Sequence, residues 1–196
     1  MLQRESPVAV RAVRDMLVDV DEIVINNRKV YDEFCTNLVY ITDEHPGIFK
    51  YYNSNKNILA AYGLTEQIDA LLRRKVPLRN GAYLIIDRTE ALTVIDVNTG
   101  RYVGTKNLEE TVFDTNKIAA IEIARQIRLR NIGGIIVIDF IDMENRKHRE
   151  RVLEALQAEL DKDRIKTTLV GLTGLGLVEL TRKKTRSMIE SVMLQP

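Results

Sequence analysis

The sequence predicts an α/β fold built on a sheet with parallel strand pairs. Two observations carry this. Strand and helix patterns alternate regularly from Gly81 onward, the order that produces a sheet with crossover helices. Ile135 to Ile141 is also almost continuously apolar, as expected of a strand buried on both faces.

The elements follow in order. Ser6-Pro7 places a capping residue and a first-turn proline ahead of Val10, Val13 and Leu17, which recur at helical spacing. Glu22 to Ile25 reads as a short strand and Arg28 to Leu38 as a helix. Thr42 to Asn57 is polar and turn-rich, a loop with one strand at Ile48 to Tyr52. Leu64 to Leu72 is helical, with Ile68, Leu71 and Leu72 on its apolar side. Pro77 to Gly81 makes a turn, and the subdomain boundary is placed there, giving subdomains 1–80 and 81–196. Tyr83 to Asp87 and Leu92 to Asn98 form a hairpin. A helix starts at Asn107, with Glu109 and Glu110 in the first turn where the dipole favours acids, and runs to about Arg130. It ends at Gly133-Gly134. After the apolar strand, Asp142 is the expected cap of a helix whose stripe is Val152, Leu153, Leu156 and Leu160. Thr167 to Leu172 and Leu177 to Thr181 are strands around a turn at Gly174 to Gly176, and a last helix carries Arg182-Lys183-Lys184.

Composition narrows the class. The chain has 196 residues, 45% hydrophobic and 29% charged, which is globular usage rather than disordered or fibrous. No run approaches the ~18 apolar residues of a membrane span. The first residues lack a basic-then-apolar leader pattern, and a reducing cytoplasm is the expected setting. One cysteine, Cys35, excludes an internal disulfide and a cysteine-built zinc cage. A net charge of +1 leaves any nucleic-acid partner to be read from local clustering.

The chemistry concentrates in two strands. In Leu92 to Asn98 the side chains alternate between faces, so Asp96 and Asn98 share one face near the strand's end. Asp139 closes the apolar run from Ile135. Open α/β sheets place ligands outside the carboxyl ends of their strands. Neighbouring strands would therefore bring Asp96 and Asp139 together, and a shared divalent cation resolves their repulsion. Mg²⁺ suits one or two carboxylates completed by water or phosphate. A lone aspartate at a strand end is more often a turn former or cap, the reading given to Asp142, Asp87 and Asp114.

Thr89 to Gly100, Asn107 to Thr111, Ile123 to Arg130 and Gly133 to Met143 resemble the catalytic core of the ribonuclease E/G family. The resemblance is dense from Gly81 to about Arg186 and looser but collinear before that. It implies an RNase H-like subdomain followed by a DNase I-like catalytic subdomain, and an endoribonuclease that uses Mg²⁺ to cut single-stranded RNA. The products would carry 5′-phosphate and 3′-hydroxyl ends. Asp96 and Asp139 match the family's metal-holding aspartates, and Asn98 matches the asparagine beside them. The family's S1 domain, its 5′-monophosphate sensor and its zinc-link cysteines have no counterpart in these residues. The expectation is therefore a core fragment, weakly active alone, whose homo-oligomer would lack a zinc link. A catalytically silent RNA-binding or scaffold module is the alternative.

Three basic clusters are the candidate phosphate contacts: Arg125, Arg128 and Arg130; Arg146 to Arg149; and Arg182 to Arg186. Within them Arg128, Arg130, Arg182 and Lys183 are assigned to the substrate backbone. Lys166 joins them because it aligns with a basic position near the family's active site. A solvated face is the alternative for each. Tyr51 and Tyr52 could stack on bases but are better read as core.

Overall fold

The computed structural model describes residues 20–100 and 108–185, with Val10, Val13 and Leu17. Most of the helix expected after Ser6, and the residues beyond Thr185, lie outside these. The chain divides into two compact units, residues 1–65 and 66–196.

In the first unit, β1 (Ile23–Ile25) pairs in parallel with β2 (Phe49–Tyr51), Ile23 opposite Phe49. Between them α1 (Arg28–Asn37) is capped by Asn27, whose Oδ1 accepts from the Val30 amide at 3.1 Å. The expected loop from Thr42 begins instead inside a second helix, α2 (Val39–Glu44). Fully buried Ile41 anchors it, and Thr42 turns its hydroxyl back onto the Val39 carbonyl. Short α3 (Ile58–Ala61) follows. Phe34, Leu38, Ile41, Ile48 and Phe49 make this unit's core. Tyr51 packs its ring 5.6 Å from Tyr31, with Arg28 over both.

The second unit holds a six-stranded sheet in the order β3-β4-β5-β6-β8-β7. After α4 (Thr65–Leu71), β3 (Lys75–Pro77) pairs antiparallel with β4 (Tyr83–Arg88). The boundary therefore lies upstream of the one read at Pro77 to Gly81: that turn joins two strands of one sheet. β5 (Leu92–Asn98) completes the hairpin with β4, and α5 (Leu108–Leu129) crosses over to β6 (Gly134–Asp139), parallel to β5. Helix α6 (Arg146–Leu160) leads to β7 (Thr167–Leu172) and β8 (Val178–Arg182), and β8 pairs antiparallel with both β6 and β7. The result is a mixed α/β fold with a mixed sheet.

Period-two alternation decides which face is dry. Leu84, Ile95, Ile136, Ile138 and Leu180 are fully buried and form one core with Ile123, Ile127, Val152 and Leu156 of α5 and α6. The intervening positions are only partly covered, and Ile135 is 50% exposed. The apolar run therefore does not mark a strand buried on both faces, because the two helices pack on one side of it. Two other local expectations also change. Asn145 caps α6, accepting from the Lys147 amide at 2.9 Å, in place of Asp142. Arg182 ends strand β8 and does not begin a helix.

Candidate active site

The parallel ladder between β5 and β6 sets Asp96 directly opposite Asp139. Both stand at carboxyl ends of strands, on the face not packed by α5 and α6. Asn98, two residues past Asp96, shares that face, and its Nδ2 donates to Asp96 Oδ2 at 2.7 Å. Strand alternation and one parallel pairing thus bring the three residues together.

The electrostatics suit a cation. Burial pushes the Asp139 carboxyl above its ordinary range, and the negative charges of Asp96 and then Asp142 push it further. Among the described residues no group of three or more His, Cys, Asp and Glu gathers as a closed metal cage. Two carboxylates and an amide fit a hard cation that keeps much of its own water, which describes Mg²⁺ better than a structural zinc.

Behind the carboxylates the support is dense. Fully buried Asn116 of α5 bonds both the carbonyl and the amide of Ile141, two residues past Asp139. Glu109, in the first turn of α5, accepts from the Asn145 amide at 3.1 Å and lies 3.2 Å from His148 Nδ1. The Asn145 amide, with those of Glu144 and the His148 ring, holds the Glu109 carboxyl below its usual range against burial. His148 in turn stacks on Phe113 at 4.5 Å. The sequence reading missed Asn116, although a polar residue within the Phe113, Ala120 and Ile123 stripe was a usable signal.

The basic residues are not where the reading put them. Arg182 is opposite Gly134 at the start of β6, and Asp139 lies five residues along, about 17 Å at strand rise. Arg128 in the last turn of α5, Arg130 just after it, Lys166 just before β7 and Lys183 just after β8 share that far end. Two of these residues are structural. Arg182 is 3% exposed; its Nε bonds Asp163 at 2.8 Å and its Nη1 bonds Asn131 and the Ile132 carbonyl. Arg130 is 2% exposed and bonds Gln126 and the Arg73 carbonyl, each at 2.7 Å. Both are corrections: a buried, engaged guanidinium does not meet a phosphate backbone. Arg128, Lys166 and Lys183 are exposed, but at the wrong end for the carboxylates. The cluster at the right end is Arg146 to Arg149, since α6 begins where β6 has just ended.

Comparison with known proteins gives the same direction. The family model "Ribonuclease E/G family" matches residues 1–185. Ribonuclease G of Escherichia coli is 45% identical over 193 residues, 98% of this chain and 40% of that protein. Ribonuclease G of Haemophilus influenzae is 53% identical over 142 residues, 72% of this chain and 29% of its own length. Ribonuclease E of Haemophilus influenzae is 36% identical over 185 residues, 94% of this chain and 20% of that protein. The chain spans about two fifths of the ribonuclease G sequence from Escherichia coli. With a family model covering nearly its whole length, this chain belongs to the ribonuclease E/G family.

Proposed function

We propose that this chain carries the catalytic core of an endoribonuclease that uses Mg²⁺ to cut single-stranded RNA in RNA processing and decay, leaving 5′-phosphate and 3′-hydroxyl ends. The observation that carries the reading is the facing pair Asp96 and Asp139, with Asn98 bonded to Asp96, at the carboxyl ends of two parallel strands. In this reading the six-stranded unit is the DNase I-like part and the preceding unit the RNase H-like part. The setting is a reducing cytoplasm, and among the described residues no helix is long and apolar enough to cross a membrane.

Asp96 and Asp139 would hold the ion, which when bound supplies Lewis-acid stabilisation to the phosphate and a more acidic water. Asn98 holds the Asp96 carboxylate in one orientation through its Nδ2. Asn116 fixes the loop behind Asp139, so that two like charges stay close on a rigid sheet. Exposed Arg146 and Lys147, at the same end, would steady the flanking phosphates.

Incubating the chain with a 5′-labelled single-stranded RNA, with and without Mg²⁺, tests this. Cleavage should require the ion and vanish in Asp96→Asn and in Asp139→Asn, with both variants folded. RNA binding without cleavage under all conditions would instead establish a silent binding module.

A further inference from the structure

The strand ladders carry the row of the two carboxylates across two more strands. Asp96 faces Asp139 on one side and Ile85 of β4 on the other, and Ile85 in turn faces Lys75 of β3. Directly paired residues share a face, so Lys75 stands on the open face two strands from Asp96, about 10 Å at strand spacing. The adjoining row pairs Asn98 with Tyr83 of β4, and Cβ atoms so paired lie about 5 Å apart. Buried Leu84 and Ile86 point to the helices, which leaves half-buried Tyr83 on the face of the carboxylates. Lys75 leans across to this second row: its Nζ lies 3.7 Å from the centroid of the Tyr83 ring.

We propose that Lys75, held by the Tyr83 ring, binds an RNA phosphate flanking the cleaved one, on the side of the carboxylates opposite Arg146 and Lys147; the inference rests on the RNA-cleaving reading above. The way Lys75 is held selects an anion. An aromatic face fixes an ammonium without neutralising it, whereas a carboxylate partner would cancel its charge. Asp87, the next β4 residue on this face, is already taken by Arg74 through both of its oxygens. Among the described residues no carboxylate pairs with Lys75, and its side chain is exposed. Lysine meets a phosphate as a point charge and needs no second donor in fixed geometry. Its place suits the neighbouring phosphate, because the ring that holds it is one strand over from Asp96 and Asn98. The sheet order gives the opposite flank. With β3 and β4 on one side of β5, and β6, β8 and β7 on the other, α6 packs against β7. Arg146 and Lys147, which begin that helix, therefore lie across the carboxylates from Lys75. Tyr83 is a positioning residue in this arrangement, since the ammonium covers one face of its ring.

The test uses the full 196-residue chain and a single-stranded RNA in which one phosphate at a time is replaced by an uncharged methylphosphonate. Affinity is read by fluorescence anisotropy, and cleavage with Mg²⁺ by gel. In the wild type, one neutral linkage beside the cut should weaken binding about fivefold, the upper worth of an exposed ion pair. Lys75→Ala should weaken binding of unmodified RNA by about the same factor. It should also abolish the effect of that one linkage, because the pair is then already broken. Lys75→Arg keeps a cation and Tyr83→Phe keeps the ring, so both should retain the effect, whereas Tyr83→Leu should reduce it. Arg146→Ala should silence a linkage on the other side of the cut. The same linkage pattern in wild type and Lys75→Ala overturns the phosphate assignment, even where RNA is cleaved. A wild-type pattern in Tyr83→Leu overturns the part given to the ring. Linkages silenced on the same side by Lys75→Ala and Arg146→Ala overturn the opposed placement. A linkage silenced by Lys75→Ala in RNA that is never cleaved upholds the contact and overturns the cleavage reading.

Discussion

Asn116 holds the backbone of Ile141 by both polar groups of one amide. Its Nδ2 donates to the Ile141 carbonyl at 2.7 Å, and its Oδ1 accepts from the Ile141 amide at 3.1 Å. The side chain is fully buried, so neither bond competes with water. This matters for the site because Ile141 is two residues past Asp139, where the strand has ended and no ladder constrains the chain. One helical side chain thus extends the rigidity of the sheet into the loop that frames the carboxylates.

Asn116→Leu should therefore destabilise the protein by about 2–4 kcal/mol, since two backbone groups lose their partners in a dry environment. Asn116→Asp keeps the acceptor and loses the donor. Urea unfolding measures the stability cost. Cleavage assayed under conditions where each variant is fully folded should still be reduced, with the loss in turnover rather than in RNA affinity. Full turnover in a folded Asn116→Leu protein would mean that the loop needs no such clamp.

The Asp139 carboxyl carries a signed pH dependence. Its folded-state pKa is raised by burial, Asp96 and Asp142, so the folded state holds this proton more tightly than the unfolded chain does. That contribution to stability is fully present below the ordinary value of 3.8 and is lost as pH rises through the folded-state value. In metal-free buffer Asp139→Asn should thus melt higher than wild type at neutral pH, with the difference disappearing in acid. Added Mg²⁺ should reverse the order, raising only the wild-type midpoint. Calorimetry with and without Mg²⁺ reads all four conditions, and a wild-type midpoint indifferent to Mg²⁺ would count against the metal assignment.

Arg182 and Lys183 are neighbours with opposite roles. The Arg182 and Asp163 side chains are 2% and 7% exposed, so Arg182→Ala strands a buried carboxylate and should cost about 3–5 kcal/mol. Lys183 is exposed, and Lys183→Ala should change stability by less than about 0.5 kcal/mol. Chemical denaturation separates them. On RNA the informative pair is Arg146→Ala and Lys147→Ala, which should flatten the salt dependence of binding by about 0.7 log units per lost contact. Lys183→Ala should leave that slope unchanged.

What the sequence made legible divides along physical lines. Asp96, Asn98 and Asp139 could be placed because strand alternation fixes a face and a crossover helix implies a parallel neighbour. Both rules are local or nearly so. The error over Arg130 and Arg182 has a different origin, because clustering along a chain does not say which end of a sheet the cluster occupies. The topology did contain that information: residues that lead into a strand lie at the end opposite those that leave it. Nor does a run of cations show which of its members turns inward to a buried partner such as Asp163, nineteen residues before Arg182. Asp142 failed as a cap because Asn145, three residues on, offers the same chemistry nearer the first turn.

Gly100 provides the strictest backbone test. It follows β5, two residues after Asn98, with φ +64°, and a Cβ there would fall 2.5 Å from the Gly81 carbonyl oxygen. Two independent costs therefore meet in Gly100→Ala: a left-handed conformation that side chains rarely adopt, and a collision with backbone that no rotamer change relieves. The variant should lose about 1–3 kcal/mol of stability. Relief of the clash must move either the end of β5 or the turn at Gly81, and the first displaces Asn98 from Asp96. Cleavage should then fall in the folded variant, with Mg²⁺ required at higher concentration. Gly174→Ala is the matched control, since nothing lies within 4 Å of its Cβ position, and it should be neutral or slightly stabilising. Denaturant melts and Mg²⁺ titrations of cleavage on both variants decide the matter. If Gly100→Ala proved as stable and as active as Gly174→Ala, the close approach of Gly100 to Gly81 would not be what holds the end of β5 in place.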